Sequence, residues 1–478
     1  MRLMLGSLSL HPALISCLPV AWLVVALAVI KLKAWQAAAS AFALGVVLAL
    51  AFFGDALPAA KIPSVAVSGV LFALCPICFV VLAALFTYAV TVESKAMDTI
   101  RRGLAGVSDD KRVLALLVVW GFGNFMEGMA GFGTAVAIPA AILVGVGFDP
   151  VKSVLMCLVA NTTPTAFGSV GVPLMTLAVE SGTEASSLAW TTAFLQSLVT
   201  AAGPVLVLIT YDGFRALKGM WKMILISDLA FLVPWLLAAR YVGCELPNVL
   251  GGLCVMLAIG LSNRRGGFAG VGEQIFAWAP FGFVVAILGV NAVLPPSVKA
   301  YITPGVLVLA AGFLGGLVQR VSIKRLFLVL WRTLGKYWAA FATICFVLAL
   351  ARVMGAAGMT SSMADALVAA TGSAYPFAAT AVGALGGFVT GSGTSSCVLF
   401  GRLQVDAANA ISASPELLAA ANMMGAGIGK LISPQSIAIG SAAAGIVGVE
   451  SRIFKKALPW FLAVAFVASI VTGLAAML

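Results

Sequence analysis

Long apolar runs recur along almost the whole length of this chain. Each run has about 20 residues, the length of helix that crosses the roughly 30 Å hydrocarbon core of a bilayer. Only 9% of the residues are charged, whereas a soluble domain carries about 25%, and the mean hydropathy is +1.12. Because lipid offers no hydrogen bonds, a spanning segment must satisfy its own backbone, which a helix does. The sequence therefore predicts an all-α polytopic membrane protein.

Most of the apolar runs are predicted to be simple membrane spans. These spans lie near residues 14–30, 35–53, 67–91, 186–209, 222–240, 247–262, 275–294, 303–319, 328–354 and 457–477. Two other segments, 113–180 and 374–448, are apolar but contain many Gly, Pro, Thr, Ser and Asn residues. Together they predict about 12 transmembrane helices and two re-entrant hairpins.

The basic residues of the connecting loops predict the orientation of the spans, since such residues favour the cytoplasmic side. This rule also accounts for the net charge of +11 without a nucleic-acid partner. The predicted cytoplasmic groups are Lys31/Lys33, residues 95–112, Arg215/Lys218/Lys222, Arg264/Arg265, Arg320/Lys324/Arg325 and Arg452/Lys455/Lys456. The loops predicted to lie outside, which are poorer in basic residues, are 54–64, 181–186, 241–247, 295–302 and 355–373.

This orientation constrains the two interrupted segments. Residue 112 is inside and residue 181 is outside, so the chain between them must cross the membrane an odd number of times. A re-entrant hairpin over 113–147, followed by one broken helix over 150–180, satisfies this condition. By the same argument, 374–404 is predicted to be a hairpin and 415–448 a broken helix.

A polar, helix-breaking motif occurs in both interrupted segments. It is "ANTTPTAFGSVGVP" at 160–173 and "ANMMGAGIGKLISP" at 421–434. Both copies begin Ala-Asn, place a Gly seven residues after the Asn, and place a Pro five residues after that Gly. Two shorter motifs recur in the same order: "ICFV" at 77–80 and 344–347, and "GFGT" and "GSGT" at 131–134 and 391–394. Segments 67–209 and 328–477 are therefore predicted to be two copies of one fold.

The first copy starts outside and the second starts inside, so we interpret them as inverted repeats, an architecture typical of secondary transporters. By analogy with carriers that have two hairpins and two broken helices, we expect a mobile transport core, a static scaffold and a homodimer formed through the scaffold. The predicted transport core comprises 113–209 and 374–477. Residues 1–112 and 210–373 supply the scaffold helices and the first parts of the two repeats.

Helix breaks inside a membrane expose backbone groups, which are tolerated only where protein or a water-filled cavity satisfies them. In transporters such groups hold the substrate, because the N-terminus of a half-helix carries partial positive charge and free N–H donors. Isolated glycines have an alternative role in helix packing. The positions predicted to break helices are Pro164, Gly168, Pro173, Gly429 and Pro434.

Two charged residues lie within the interrupted segments, Glu127 in "FMEGMAGFGT" and Lys430 in "GIGKLISPQS". A charge at such a depth costs at least a few kcal/mol and usually marks a pathway, although a long side chain can also extend to the interface. Lys430 is predicted to bind an organic carboxylate. Glu127 is predicted to carry a coupling proton, because burial disfavours the ionised carboxyl group. The other predicted substrate-binding residues are Asn161, Asn422, Thr162, Thr163, Thr134, Thr394, Ser395, Ser396, Ser433 and Gln435, with Ser436 beside them.

No motif for catalysis or for a cofactor is present: the chain lacks H-E-x-x-H, a Walker loop and G-x-S-x-G. We therefore expect neither an enzyme nor a cofactor. The one histidine, His11, has no partners for a metal site. "CPIC" (75–78) has the spacing of a redox motif but lies in mid-membrane, where packing cysteines are the simpler interpretation. A membrane-embedded enzyme or a channel has only these cysteines and Glu127 in its favour.

Four stretches carry a resemblance to a known family. They are "FMEGMAGFGTAVAIPAAILVGVGFDP" (125–150), "LVANTTPTAFGSVGVP" (158–173), "GGFVTGSGTSSCVLFGRLQ" (386–404) and "AANMMGAGIGKLISPQSIAIGSAAAGIVGVES" (420–451). At these residues the chain resembles the L-lactate permease family of bacterial lactate and glycolate importers. The resemblance implies uptake of a small 2-hydroxymonocarboxylate with protons across the bacterial cytoplasmic membrane. The implied partners are the organic anion, the coupling proton and membrane lipid.

Two departures from the family pattern bear on the substrate. Family members usually have Asp in "GSDTSSN", where this chain has Gly393 and Cys397 in "GSGTSSC". "ANMMGAGIG" also replaces a more polar Thr-Gly-Gly pattern. The first departure leaves the substrate, and proton or sodium coupling, open. The second favours a more apolar pocket and a substrate other than lactate. The alternative function is an exporter or exchanger of related organic or sulfonated anions.

Overall fold

The computed structural model describes residues 3–5, 8–10, 12–263, 271–294 and 303–477. The predicted basic pair Arg264/Arg265, the loop 295–302 and His11 lie outside the described residues. Two short antiparallel strands, Leu3–Leu5 and Leu8–Leu10, pair with Leu3 opposite Leu10 and precede the first helix. The sequence pattern did not predict these strands. The rest of the described chain is built of helices, in agreement with the predicted membrane fold.

The helices of the first half are short where the sequence is rich in Gly and Pro. Two π-helical turns, Ala73–Cys78 and Leu116–Phe122, and three 3₁₀ turns, Ala59–Lys61, Pro164–Phe167 and Gly213–Leu217, join neighbouring helices. The α-helices are Pro12–Ala28, Ala34–Phe52, Ile62–Phe72, Phe79–Glu93, Ala96–Ala105, Lys111–Ala115, Gly123–Met129, Thr134–Gly145, Pro150–Ala160, Gly168–Ser181, Ala185–Ala201 and Gly203–Asp212.

The second half contains the longest helix, Ile323–Ala356, and one 3₁₀ turn, Gly372–Ala374. Its other helices are Trp221–Tyr241, Pro247–Ser262, Val271–Val293, Pro304–Val318, Met359–Thr371, Tyr375–Thr390, Gly393–Ala410, Pro415–Lys430, Pro434–Ala443 and Glu450–Ala475. Helix Met359–Thr371 occupies most of the predicted outer loop 355–373, so the prediction of an irregular loop there is wrong. It forms because Met359, Met363 and Ala364 recur at helical spacing and are buried.

Among the described residues, nine helices are long and apolar enough to cross a membrane, and one bent pair makes a tenth candidate. This count is lower than the predicted 12. Part of the difference lies in three predicted spans, which form apolar helices of 17, 16 and 15 residues: Pro12–Ala28, Pro247–Ser262 and Pro304–Val318. They are shorter than a typical perpendicular span of about 20 residues.

Each interrupted segment folds as a helical hairpin followed by a bent helix. The first hairpin (111–145) turns at residues 130–133, and the first bent helix (150–181) has an angle of 71° between its two halves. The second hairpin (375–410) turns at Gly391 and Ser392, and the second bent helix (415–443) breaks at residues 431–433. The order of elements is therefore the same in both predicted repeats.

The two "ICFV" motifs meet in the fold. Cys78 and Cys345, which occupy the same position in the two motifs, lie close together. All eight cysteines of the chain, including Cys75 and Cys78, are free thiols. Equivalent residues of two repeats touch when they lie near a two-fold axis, so this contact supports the internal duplication.

The two bent helices break at different points of the repeated motif. Helix Pro150–Ala160 ends at Asn161, and residues 169–171 have left-handed φ angles of 46°, 56° and 78° before the helix resumes. Pro173 lies two residues after Gly171, in a first turn where its missing N–H is not needed. In the second copy the helix continues through Asn422 to Lys430 and breaks only at 431–433, before Pro434.

The break predicted at Gly429 lies instead at 431–433, and the helix is continuous through both Asn422 and Gly429. The glycines of this helix pack tightly against the second hairpin. A Cβ built at Gly425 or Gly429 would collide with the carbonyl oxygens of Thr380 and Ala384. Glycine at these positions allows two backbones to approach closely, which is its usual role in membrane helices.

Candidate functional site

A cavity of about 330 Å³ lies where the turns and breaks of both repeats meet. Its volume is at the lower end of the range for small-molecule sites, roughly 300 to 1,000 Å³. One wall comes from the predicted transport core and includes Glu127, Gly133, Asn161, Thr165, Gly168, Ser392, Gly393, Thr394, Ser395, Lys430, Gln435 and Ser436. The opposite wall comes from the predicted scaffold: Lys33, Ala34, Trp35, Ala339, Ala340, Thr343 and Ile344.

An ion pair between the two predicted charges lines this cavity. Nζ of Lys430 lies 2.8 Å from Oε1 of Glu127, and the two side chains are only 9% and 3% exposed. Glu127 comes from the first hairpin and Lys430 from the last turn of helix Pro415–Lys430. The contact therefore joins the two repeats across 303 residues of sequence.

Residues at the break of the first bent helix form hydrogen bonds with both Lys430 and Glu127. Nζ of Lys430 also donates to Oγ1 of Thr165, at 3.0 Å. The amide of Asn161 satisfies both ions when its nitrogen donates to Oε2 of Glu127 at 3.3 Å and its oxygen accepts from Nζ of Lys430 at 3.2 Å, an orientation assigned from the hydrogen-bond network. Thr165 in turn donates to the carbonyl of Asn161, at 2.9 Å.

The first bent helix also provides the space that Glu127 occupies. A Cβ built at Gly168 would lie 3.0 Å from Oε1 of Glu127. Transfer of two charges from water into a protein interior costs several kcal/mol for each ion, and removing one partner then leaves the other uncompensated. A buried pair is a weak source of stability, so its position in a cavity points to a role in binding.

The N-terminus of helix Gly393–Ala410 adds positive potential to the same cavity. Oγ of Ser392 caps this helix and accepts from the backbone N–H of Ser395, at 3.3 Å. Thr394 and Ser395 line the cavity, and Gln435 and Ser436 line it from the start of helix Pro434–Ala443. Two helix N-termini and one lysine thus converge on a small volume, an arrangement suited to an anion.

Several predicted site residues do not line the cavity. Helix geometry turns their side chains toward neighbouring backbone. Thr134 donates to the carbonyls of Gly131 and Met126, Thr162 to that of Val159, and Ser396 to that of Gly383. Thr163 and Ser433 are also buried and do not line the cavity, and their hydroxyl groups have no partner among the described residues.

Asn422, the predicted counterpart of Asn161, belongs to a different polar group. Its Oδ1 accepts from Nε2 of Gln404 at 3.4 Å, and Oε1 of Gln404 accepts from the hydroxyl of Tyr375 at 3.0 Å. This group ties the second hairpin to the second bent helix. The expectation that the two asparagines meet at one pocket is therefore wrong, because the helix around Asn422 is not broken.

Thr165 and the scaffold wall were not predicted as parts of the site. Thr165 lies four residues after Asn161, one helical turn along the same face, which is a signal that the sequence does contain. For Trp35, Ala339 and Ile344 no such signal exists, since they belong to ordinary apolar spans.

The model of the L-lactate permease family matches residues 12–303 and 289–478. The L-lactate permease of Streptococcus iniae is 37% identical, in an alignment that covers 85% of this chain and 93% of that protein. The chain belongs to the L-lactate permease family. This permease is accordingly a multi-pass bacterial membrane protein and a transporter rather than an enzyme, as predicted.

Other relatives cover the chain almost completely. The L-lactate permease of Bacillus subtilis is 31% identical over 98% of this permease and 97% of its own length. The glycolate permease GlcA of Escherichia coli is also 31% identical, over 100% of this permease and 97% of its own length. The predicted resemblance is confirmed by these matches.

Two solved transporters have a related fold. The MtrF protein of Neisseria gonorrhoeae, from a class of antimetabolite efflux pumps, has a TM-score of 0.52 at 15% identity and covers 97% of this chain, with 95% of its own chain matched. The YdaH transporter of Alcanivorax borkumensis has a TM-score of 0.53 at 14% identity, over 97% and 98%. These likenesses confirm a transporter fold and carry no information on the substrate.

Proposed function

We propose that this permease is a secondary carrier that imports a small 2-hydroxymonocarboxylate, of the lactate or glycolate type, together with a proton. The observation that carries the proposal is the buried ion pair of Lys430 and Glu127 in a cavity small enough for such an acid. Relatives named as lactate and glycolate permeases support the same substrate class.

Coupling follows from competition between two carboxylates for one ammonium group. In the empty carrier Lys430 is paired with Glu127, so the site has no net charge. When Glu127 takes up a proton, Lys430 loses its counter-ion and attracts the carboxylate of the substrate. The site that holds both a proton and an anion is again neutral, whereas a site that holds only one of them carries an uncompensated charge. Burial penalises the charged states, so proton and anion cross together.

The remaining polar groups of the cavity are suited to the neutral part of the substrate. Thr394, Ser395 and Gln435 line the wall that contains the two helix N-termini, and they offer donors and acceptors to a 2-hydroxyl group. The scaffold wall opposite is mostly apolar, with Trp35, Ala339 and Ile344. In this proposal the core, residues 113–209 and 374–477, carries the bound proton and anion past the scaffold. The scaffold need not supply a charged partner deep in the cavity.

The proposal is tested by uptake into proteoliposomes with an imposed pH gradient, acid outside. We expect labelled L-lactate or glycolate to accumulate inside and the accumulation to vanish when a protonophore collapses the gradient. Counterflow at equal pH separates an exchanger from a net importer, and a sulfonated analogue tests the alternative anion class. Absence of gradient-dependent uptake across a panel of small organic acids would overturn the proposal.

Gly393 offers a test of the cavity itself. A Cβ at this position would lie 2.6 Å from Cγ2 of Thr165 and 3.1 Å from Cε of Met423. Gly393→Ala is therefore expected to displace Thr165 from Lys430 and to raise the KM of exchange roughly tenfold, since overpacking costs about 1 to 3 kcal/mol. Gly282→Ala is the control, because nothing lies within 4 Å of a Cβ there. A wild-type KM for Gly393→Ala would show that Thr165 does not support the binding site.

A further inference from the structure

A fully buried amide outside the cavity contacts both the helix that carries Glu127 and the turn that carries Thr165. Asn248 lies in the first turn of helix Pro247–Ser262 and is 0% exposed. Its Nδ2 donates to the carbonyl oxygen of Pro164, at 2.5 Å. On its other side, a Cβ built at Gly128 would lie 2.9 Å from Cβ of Asn248. Pro164 precedes Thr165, and Gly128 follows Glu127, so Asn248 contacts the neighbours of two site residues.

The hydrogen bond from Asn248 adds a side-chain donor at the helix break. In a regular helix the carbonyl of Pro164 would accept from the N–H of Gly168, four residues later. Here Pro164–Phe167 is a 3₁₀ turn, in which the carbonyl of Pro164 accepts from the N–H three residues later, and the N–H of Gly168 donates to the carbonyl of Thr165. The side chain of Asn248 supplies a second donor to the carbonyl of Pro164 and thereby ties this turn to helix Pro247–Ser262.

Asn248 is itself held in one orientation. Nε1 of Trp235 donates to Oδ1 of Asn248 at 3.0 Å, which fixes Nδ2 as the group that faces Pro164. Trp235 is 0% exposed and packs at 83° against the ring of Phe167, at a centroid distance of 5.3 Å. Helices Trp221–Tyr241 and Pro247–Ser262 thus contact the break of the first bent helix from outside the predicted core.

We propose that Asn248, oriented by Trp235, is a positioning residue of the transport site. It fixes the carbonyl of Pro164 and thereby the turn from Asn161 to Thr165, which holds Lys430 against Glu127. The helix pair 221–262, predicted from sequence to belong to the scaffold, accordingly moves with the core. This inference rests on the proposed function for its effect on transport, but not for its effect on the turn.

Two substitutions of Asn248 separate positioning from folding. Asn248→Leu has a similar volume and cannot donate, so the carbonyl of Pro164 loses the side-chain donor that ties its turn to helix Pro247–Ser262. We expect the KM for L-lactate in counterflow to rise roughly tenfold, because a buried hydrogen bond that holds the turn is lost, with little change in the maximal rate. Asn248→Asp can donate only when protonated. The ratio of its KM to that of the wild type is therefore expected to be near one at acidic pH and to rise with pH, both sides of the membrane being kept at equal pH.

The matched control is Gln319→Leu. Gln319 is a buried amide whose Nε2 donates at 3.0 Å to the carbonyl of Ala277, close to Pro280 in another membrane helix, and it does not line the cavity. This variant should keep the wild-type KM at every pH. A KM of Asn248→Leu equal to that of the wild type, or a rise matched by Gln319→Leu, overturns the inference.

Hydrogen exchange gives a readout that does not depend on the substrate. In Asn248→Leu, backbone amides of 161–168 are expected to exchange faster, while those of the second hairpin keep their wild-type rates. Unchanged exchange at 161–168 overturns the positioning role. If exchange changes as expected and neither the wild type nor any variant transports lactate, the proposed function fails and the positioning role stands.

Discussion

Lys430→Ala is expected to abolish saturable uptake, with a loss of at least a hundredfold in the initial rate at low substrate concentration. Lys430 is the one cation that the structure places deep in the described cavity, since Lys33 lies at the exposed start of helix Ala34–Phe52. Without it, a substrate carboxylate would face Glu127 with no counter-ion. Each 1.4 kcal/mol of binding free energy changes the dissociation constant by a factor of ten. Removing one partner of a hydrogen-bonded buried charge pair costs several times this amount.

Misfolding is the obvious confounding effect, because Lys430→Ala leaves Glu127 buried and unpaired. Removing one member of such a pair costs about 3 to 5 kcal/mol of stability. The double variant with Lys430→Met and Glu127→Gln removes both charges and should recover the folded yield of the wild type without recovering uptake. Lys430→Arg keeps the charge and should retain part of the transport. Normal affinity in either lysine-free variant would show that the carboxylate binds elsewhere.

The interrupted segments were predictable because two independent signals agreed. Loop charges required an odd number of crossings between residues 112 and 181, and Gly and Pro clusters marked where the helices stop. The structure has hairpins at 111–145 and 375–410 and bent helices at 150–181 and 415–443, each close to its predicted bounds. Where only one signal was present, as in the loop 355–373, the prediction missed a helix.

The error at Asn422 has a physical cause that a single sequence does not reveal. The aligned motifs imply equal backbones, but Gly425 and Gly429 serve to bring two helices together, whereas Gly168 lies at a true break. A glycine that packs and a glycine that breaks look alike until the partner surface is known. In the aligned motif the helix of the second copy therefore ends nine residues later, and it breaks at 431–433, where Ser433 and Pro434 provide a genuine helix start.

The charged residues of the site were found and their pairing was not. An ionisable residue in a membrane segment is conspicuous in any sequence, but the contact between Glu127 and Lys430 depends on how the two repeats dock. Asn248 was missed for a related reason: it lies in an apolar span, and only the fold reveals that its amide faces the carbonyl of Pro164. Sequence reasoning thus identified the chemistry of the site better than its geometry.

Glu127→Gln is expected to lose proton-driven accumulation while exchange continues. The amide has the shape of the carboxyl group but cannot take up a proton, so Lys430 remains available to an anion at every pH. A wild-type carrier with one proton per anion can accumulate substrate about tenfold for each unit of imposed pH gradient. In the variant this net accumulation should be lost. The KM of counterflow should also lose its dependence on pH. Both quantities are measured in the same proteoliposomes.

Exchange should survive in this variant because of the charge of the site. With Gln at position 127, the loaded site is neutral and can cross, whereas the empty site carries the uncompensated charge of Lys430 and cannot return. The carrier is thereby converted from a symporter into an obligatory exchanger. Glu180→Gln is the matched control, since Glu180 is also a buried acid in an ion pair, at 2.9 Å from Arg352, and does not line the cavity. It should preserve the accumulation ratio, which depends on coupling and not on rate. Accumulation by Glu127→Gln at the wild-type ratio would place the coupling proton on another group, because no titratable carboxyl group would then remain beside Lys430.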